Sequence, residues 1–113
     1  MSSIEWIPLE TVEQLQALQK ESENQPVIIY KHSARCSTSH MVLNRIDRSS
    51  QAWTGVRMYF LDLLRFRSIS NLIETVFSVT HESPQLLVIR DRSAVLHLSH
   101  FEIDPETIGR SLS

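Results

Sequence analysis

The stretch Pro26-Val-Ile-Ile-Tyr-Lys-His-Ser-Ala-Arg-Cys36-Ser-Thr-Ser-His-Met41 carries the pattern that decides the fold prediction. The residues from Val27 to Tyr30 are apolar and favour β-structure, so they predict a short buried strand. Small and polar residues follow as far as Cys36, the single cysteine of the chain. A helical pattern begins directly after it. The stretch therefore predicts a strand, a short loop and a helix with a thiol at its start.

A thiol in that place has a defined electrostatic environment. The first N–H groups of a helix have no partners within the helix, and the aligned peptide dipoles put partial positive charge there. The thiolate is the form that attacks disulfides, so this position predicts that Cys36 is a catalytic nucleophile. The alternative is an inert buried thiol, because free cysteines are among the most buried residues.

The size and composition of the chain exclude several classes of protein. At 113 residues and 42% hydrophobic content, we expect one domain over residues 1–113. The net charge of -2 offers no basic surface for a nucleic acid. The first residues resemble no leader peptide and no apolar run is long enough to cross a bilayer, so we expect a cytoplasmic protein without membrane contact. A lone cysteine allows only intermolecular disulfides.

Three further helices are predicted from capping residues and apolar periodicity. The first follows a capping box formed by Thr11 and Gln14, and the last opens with Asp104 as N-cap and Pro105 at its first position. Between them, residues 68–77 form the clearest amphipathic helix. The predicted apolar stripes are Val12, Leu15 and Leu18 in the first helix; Met41, Val42 and Ile46 after Cys36; Ile69, Leu72, Ile73, Val76 and Phe77 in residues 68–77; and Ile108 and Leu112 in the last helix.

The remaining strands complete a sheet. An extended lead-in contains Ile4, Trp6 and Ile7, and a predicted loop over residues 49–55 leads to a second buried strand from Val56 to Leu61. The residues Leu86–Ile89 and Ala94–Leu98 are two strands with a four-residue polar gap, which predicts an antiparallel hairpin. Strands joined through helices are expected to be parallel. The predicted fold class is α/β with a thioredoxin-like layout: a central mixed sheet, parallel strands plus a C-terminal antiparallel hairpin, and helices on both faces.

In a thioredoxin-like layout, the proline before the hairpin strand lies beside the active thiol with a cis peptide bond. Here that residue is Pro84. The backbone of Ser83 would then pair with an extended substrate while the thiol attacks, so both residues are predicted to bind substrate. The alternative is that Ser-Pro only begins a strand, a position at which proline is tolerated.

The residue three places after Cys36 is Ser39, where a dithiol oxidoreductase has its second cysteine. A monothiol site can take over a mixed disulfide, but an external thiol must then complete the cycle. The Ser39 hydroxyl, or less favourably that of Ser37 or Thr38, is predicted to stabilise the thiolate by a hydrogen bond. The alternative is that one of these side chains caps the helix.

Basic residues surround the thiol in the sequence. Arg35 and His32 are predicted to stabilise the thiolate, and Lys31 to bind an anionic small thiol as substrate. The alternative is that these charges are simply solvated. The five histidines are scattered without a second cysteine or a paired spacing, so no metal site is predicted.

The segment Lys31-His-Ser-Ala-Arg-Cys-Ser-Thr-Ser39 resembles the monothiol bacilliredoxins, the YtxJ-type general stress proteins of the thioredoxin superfamily. The likeness continues through residues 41–45, 81–85 and 99–100. It implies a stress-response oxidoreductase in which Cys36 removes bacillithiol from bacillithiolated proteins. It also implies bacillithiol as a low-molecular-weight co-substrate, no tightly bound cofactor, and a monomer or weak dimer. Two departures are Ser37, where relatives often have proline, and a hairpin turn without glycine.

Two other functions compete with this one. The first is a non-catalytic thioredoxin-like stress or protein-binding module, in which Cys36 is ordinary and the region of Pro84 binds a partner. The second is iron–sulfur binding by a dimer that shares thiolates, as in monothiol glutaredoxins. The chain lacks the Gly-Phe that those proteins carry between the cysteine and the serine, which disfavours this function.

Overall fold

The computed structural model of the chain describes residues 6–49, 53 and 55–112. The elements, in order, are β1 Ile7–Pro8, α1 Val12–Glu21, β2 Val27–His32, α2 Ser37–Ser49, β3 Arg57–Asp62, α3 Arg67–Phe77, β4 Gln85–Arg90, β5 Ser93–Ser99, a 3-10 turn His100–Glu102 and α4 Pro105–Ser111. Over these residues, no helix combines the length and the apolar character that crossing a bilayer requires.

The strands form one mixed sheet in the order β1-β3-β2-β4-β5. Both β1 and β2 pair in parallel with β3, whereas β4 runs antiparallel to β2 and to β5. The predicted hairpin is confirmed, but the expectation that strands joined through helices are parallel is wrong for β4. Residues 78–84 return the chain to the end of the sheet at which β2 ends. The strand β4 therefore starts there, with Gln85 paired with Lys31.

The sheet is buried on both faces, as the α/β prediction requires. Alternate residues of a strand point to opposite faces, so β2 contributes to two separate cores. The core on the α1 and α3 face includes Val27, Ile29, Leu61 and Leu87 with Leu15, Leu18 and Ile73. The core on the α2 and α4 face includes Ile28, Tyr30, Leu86 and Val88 with Val42, Ile46 and Ile108. This double packing fixes the position of β2 at the centre of the molecule.

The boundaries of most elements differ from the predictions by one or two residues. The strand β2 continues two residues further than predicted, so Lys31 and His32 belong to the strand and not to a loop. The helix α2 extends to Ser49, which was assigned to a loop. The rest of that loop lies partly outside the described residues, as does Ile4.

Three residues assigned to apolar stripes are exposed instead. Met41 is 54% exposed, Val12 42% and Val76 37%. Each lies at the margin of its stripe, where helical periodicity alone does not separate the buried face from the adjacent surface.

The capping box at the start of α1 provides a test of the local structure. The Oγ1 of Thr11 accepts a hydrogen bond from the Gln14 N–H at 3.1 Å, and the Gln14 side chain accepts one from the Thr11 N–H. Replacing Thr11 with Ala removes the first of these bonds and should lower the free energy of unfolding by about 1 kcal/mol. Urea titration measures the change. The variant Thr11→Ser keeps a capping hydroxyl and should stay close to the wild type; equal losses in both would contradict the capping role.

Candidate active site

Cys36 lies where the end of β2 meets the start of α2, as predicted. Its N–H donates to the Ser33 carbonyl at 3.1 Å, and its carbonyl accepts from the N–H groups of Ser39 and His40 in the first turn of α2. The residue is half-buried. The thiol therefore lies at a helix N-terminus and is only partly covered by the core. It is accessible enough to attack a disulfide.

Pro84 lies beside this junction, and the bond between Ser83 and Pro84 is cis, as predicted. In the antiparallel pairing of β2 with β4, Lys31 is the partner of Gln85. One residue further along each strand, Pro84 therefore lies opposite His32. The carbonyl of Pro84 accepts a hydrogen bond from the His100 N–H at 3.1 Å. The end of the sheet at which Cys36 lies thus also contains the start of β4 and the turn after β5.

Ser39 joins α2 to β2 through a buried hydrogen-bond network. Its Oγ accepts from the Ser33 N–H at 3.2 Å and lies 2.7 Å from His32 Nδ1 and 3.1 Å from the Tyr30 hydroxyl. The Tyr30 hydroxyl donates to the Ser39 carbonyl at 2.8 Å. These contacts fasten the first turn of the helix to the end of the strand. Because three groups already share the Ser39 hydroxyl, its direct hydrogen bond to the thiolate stays a prediction.

Burial disfavours the charged forms of two members of this network. Burial raises the pKa of Tyr30 to about 12, with an opposing effect of the Ser39 hydrogen bond and a further rise from the charge of Cys36. Burial and then His40 lower the pKa of His32 below its usual 6.5, against the charge of Asp62. The lowered pKa disfavours the positive charge on which the prediction for His32 relied. A contribution of His32 through its contact with Ser39 stays a prediction.

The loop before the thiol is held by a histidine that follows it. The Nε2 of His40 lies 3.0 Å from the carbonyl oxygen of Ala34, and its ring centroid lies 4.7 Å from that of His32, edge to face. Arg35 is exposed directly before Cys36. Its guanidinium is the permanent cation nearest to the thiol in sequence, and its role in stabilising the thiolate stays a prediction.

Lys31 is placed very differently from its prediction as a substrate-binding residue. It is fully buried, on the face of the sheet opposite to the Ser39 network. Its Nζ lies 3.2 Å from His81 Nδ1 and donates to the Ser70 carbonyl at 3.4 Å. In this conformation the amine supports the segment that leads to Pro84 instead of meeting a ligand at the surface. Direct contact with substrate stays a prediction that would require this segment to open.

Sequence reasoning assigned no role to Tyr30, Ser70 or His81. A tyrosine inside a buried strand needs a hydrogen-bond partner for its hydroxyl. This requirement could have indicated that Tyr30 belongs to a buried polar network. The alternation of side chains along β2 would likewise have put Lys31 on the same buried face as Ile29. Nothing in the local sequence indicates that Ser70 and His81 are its partners, because they lie 39 and 50 residues away.

A comparison with family models identifies the chain. The model of the monothiol bacilliredoxin BrxC matches residues 7–108. The chain belongs to the monothiol bacilliredoxin BrxC family. The matched range contains Cys36, Ser39 and Pro84.

Solved structures similar to this bacilliredoxin confirm the thioredoxin fold. A putative oxidoreductase with a thioredoxin fold superimposes with a TM-score of 0.83 at 23% identity, over 95% of this chain and 93% of the other. The structure from work on thiol resolution in yeast mitochondrial 1-Cys peroxiredoxin has a TM-score of 0.78 at 18% identity, over 98% and 97%. Thioredoxin from Trypanosoma brucei brucei has a TM-score of 0.76 at 13% identity, over 96% and 88%.

The Ser39 network can be tested by removing one hydroxyl. The variant Ser39→Ala leaves the buried Ser33 N–H and His32 Nδ1 without this partner, so the free energy of unfolding should fall by about 1–3 kcal/mol. The exposed neighbour Ser37 supplies the matched control, and Ser37→Ala should change stability much less. Chemical denaturation of both variants measures the difference. Equal stabilities would mean that the network does not hold α2 in place.

The buried amine of Lys31 should make stability depend on pH in the alkaline range. Burial lowers the pKa of Lys31 from 10.5 to about 8, partly offset by Glu74. Between these values the unfolded chain holds more protons than the folded chain, so stability should rise with pH, by at most about 1.4 kcal/mol per pH unit. Urea titrations from pH 7 to 10 should show this rise relative to the variant Lys31→Met, which keeps every other ionisable group of the chain.

The other lysine of the chain provides the control for this experiment. Lys20 is exposed on α1, and the variant Lys20→Met should follow the wild-type pH dependence. A constant difference between the wild type and Lys31→Met over the whole range would show that the amine of Lys31 keeps its ordinary titration in the folded protein.

Proposed function

We propose that this bacilliredoxin removes bacillithiol from mixed disulfides on protein cysteines, with Cys36 as the nucleophile. The observation that carries the proposal is a lone, half-buried thiol at the start of α2 in a member of this family. Ser39, three residues on, is buried and bonded to the end of β2. An internal disulfide cannot form, so the adduct must pass to another molecule.

The reaction conserves electrons at each step. The Cys36 thiolate attacks the bacillithiol sulfur of the mixed disulfide, the bond between that sulfur and the client sulfur breaks, and the client leaves as a thiolate that takes up a proton. The new disulfide joins Cys36 to bacillithiol. A second low-molecular-weight thiol, or a reductase thiol, then attacks the bacillithiol sulfur and releases the Cys36 thiolate. Bacillithiol is thus a co-substrate, and no bound cofactor takes part.

The client is proposed to bind along the start of β4. A client segment in extended form pairs with the backbone of Ser83, next to the buried Pro84. The register that puts Pro84 opposite His32 supports this arrangement, because the strand β2 delivers Cys36 to the same edge. The proposed setting is the cytoplasm, where thiols are kept reduced, during stress that produces mixed disulfides. The protein acts as a monomer or weak dimer in this proposal.

The proposal can be tested by intact-mass analysis. Wild-type protein mixed with a bacillithiolated client should gain the mass of one bacillithiol while the client loses it, and Cys36→Ser should leave the client unchanged. The control Ser37→Ala keeps the thiol and should still form the adduct. Transfer by Cys36→Ser at the wild-type rate, or no adduct on the wild type, would overturn the proposal and favour a non-catalytic binding module.

A further inference from the structure

A cavity of about 220 Å³ opens at the edge of the sheet that carries Cys36. It lies where β1 and β3 end, and the proposed function assigns it no role. Phe60 and Phe66 give it apolar walls, and the charged side chains of Glu10, Asp62 and Arg65 complete its lining. Ligands of open α/β sheets bind outside the carboxyl ends of parallel strands, which is where this cavity lies.

The lining of the cavity is connected to the first turn of α2 through one side chain. The ring of Phe60 lies 5.1 Å from the ring of His32, centroid to centroid. Asp62 is the partner of His32 in the pairing of β2 with β3, and its charge acts on the pKa of that histidine. His32 in turn contacts Ser39 and His40 in the first turn of α2. The wall of the cavity and the base of the thiol helix therefore share His32.

The order of the strands separates two approaches to the thiol. Cys36 follows the central strand β2, with β3 on one side and β4 on the other. The β4 side carries Pro84 and the 3-10 turn, in which Phe101 is 62% exposed. In the proposed function, that side receives the protein client. The cavity on the β3 side is smaller than the roughly 300–1,000 Å³ of pockets that hold a whole drug-sized ligand, so it suits the polar part of a small molecule and not a protein segment.

The charges in the cavity indicate the chemistry of that group. The guanidinium of Arg65 lies 5.1 Å from the centroid of the Phe66 ring, which fixes it beside the apolar wall. A guanidinium binds a carboxylate, whereas the carboxylates of Glu10 and Asp62 bind an ammonium group. The backbone N–H of Arg65 donates to Asp62 Oδ1 at 3.4 Å, so the chain at Arg65 lies next to the Asp62 carboxylate.

We propose that this cavity is the subsite for the body of the low-molecular-weight thiol, and that it selects a thiol carrying both a carboxylate and an ammonium group. The carboxylate binds Arg65, the ammonium binds Glu10 and Asp62, and the sulfur of the same molecule is bonded to Cys36. This inference rests on the proposed function, because it specifies the small thiol that occupies Cys36. The protein client then lies on the β4 side.

Four symmetrical disulfides of different charge test the subsite. They are cystine, which carries both groups, dithiodipropionate, which carries carboxylates, cystamine, which carries ammonium groups, and hydroxyethyl disulfide, which is neutral. The rate constant for adduct formation on Cys36 is measured for each by acid quench and intact mass. The ratio of variant to wild type for a given disulfide cancels the intrinsic reactivity of that disulfide.

The expected pattern depends on charge. Arg65→Gln should slow cystine and dithiodipropionate about tenfold, a loss of about 1.4 kcal/mol, and leave cystamine and hydroxyethyl disulfide nearly unchanged. Glu10→Gln should slow cystine and cystamine instead. The control Arg110→Gln removes the same charge from α4, away from the cavity, and should affect none of the four selectively.

Three results would overturn the subsite. Unchanged rates for Arg65→Gln would show that the cavity does not bind the thiol, and equal slowing of all four disulfides would show that Arg65 acts on the thiol or on the fold. The same selective loss in Arg110→Gln would show that the rates respond to the net charge of the protein and not to a charge in the cavity. If the wild type forms no adduct with any disulfide, the proposed function fails together with the subsite, and this outcome is distinct from the other three.

Discussion

The hydrogen bonds of the Ser39 hydroxyl are the interaction on which the active-site geometry depends. They join the first turn of α2 to the end of β2 through Ser33, His32 and Tyr30. Cys36 lies between the joined elements and has little freedom to move relative to either. A second cysteine at position 39 would supply redox chemistry there, whereas serine supplies a small donor and acceptor that fits a buried network. The monothiol character and the rigidity of the site thus have the same origin.

The end of β2 carries polar groups on both faces of the sheet. His32 is directed toward α2, and the preceding Lys31 is directed toward α3, where it contacts Ser70 and His81. Burying an amine is costly unless its hydrogen bonds are provided, and here a carbonyl and an imidazole provide them. The two contacts bind the segment before Pro84 to the strand that delivers Cys36. The thiol and the proline are therefore positioned by adjacent residues of one strand.

Much of this architecture could be predicted from the sequence because it depends on local patterns. Apolar periodicity identified α3, the capping box identified the start of α1, and the apolar run from Val27 located the central strand. The prediction failed where the deciding contact is distant in sequence. Lys31 was predicted to bind an anionic small thiol, and its burial was missed because its partners lie on α3 and the segment after it. The cavity was not predictable either, because its lining comes from two segments, residues 8–10 and 60–66, that lie far apart in the sequence.

The topology also bears on how a monothiol cycle can be completed. In the proposed first step, the bacillithiol sulfur lies between Cys36 and the client sulfur, which leaves in the direction opposite to the attack. In the second step the incoming thiol attacks that same sulfur and Cys36 leaves, so the incoming thiol takes the place that the client vacated. A single subsite on the β3 side can then hold the bacillithiol body through both steps. In this proposal the client and the second thiol use the β4 side in turn, and no second cysteine is needed there.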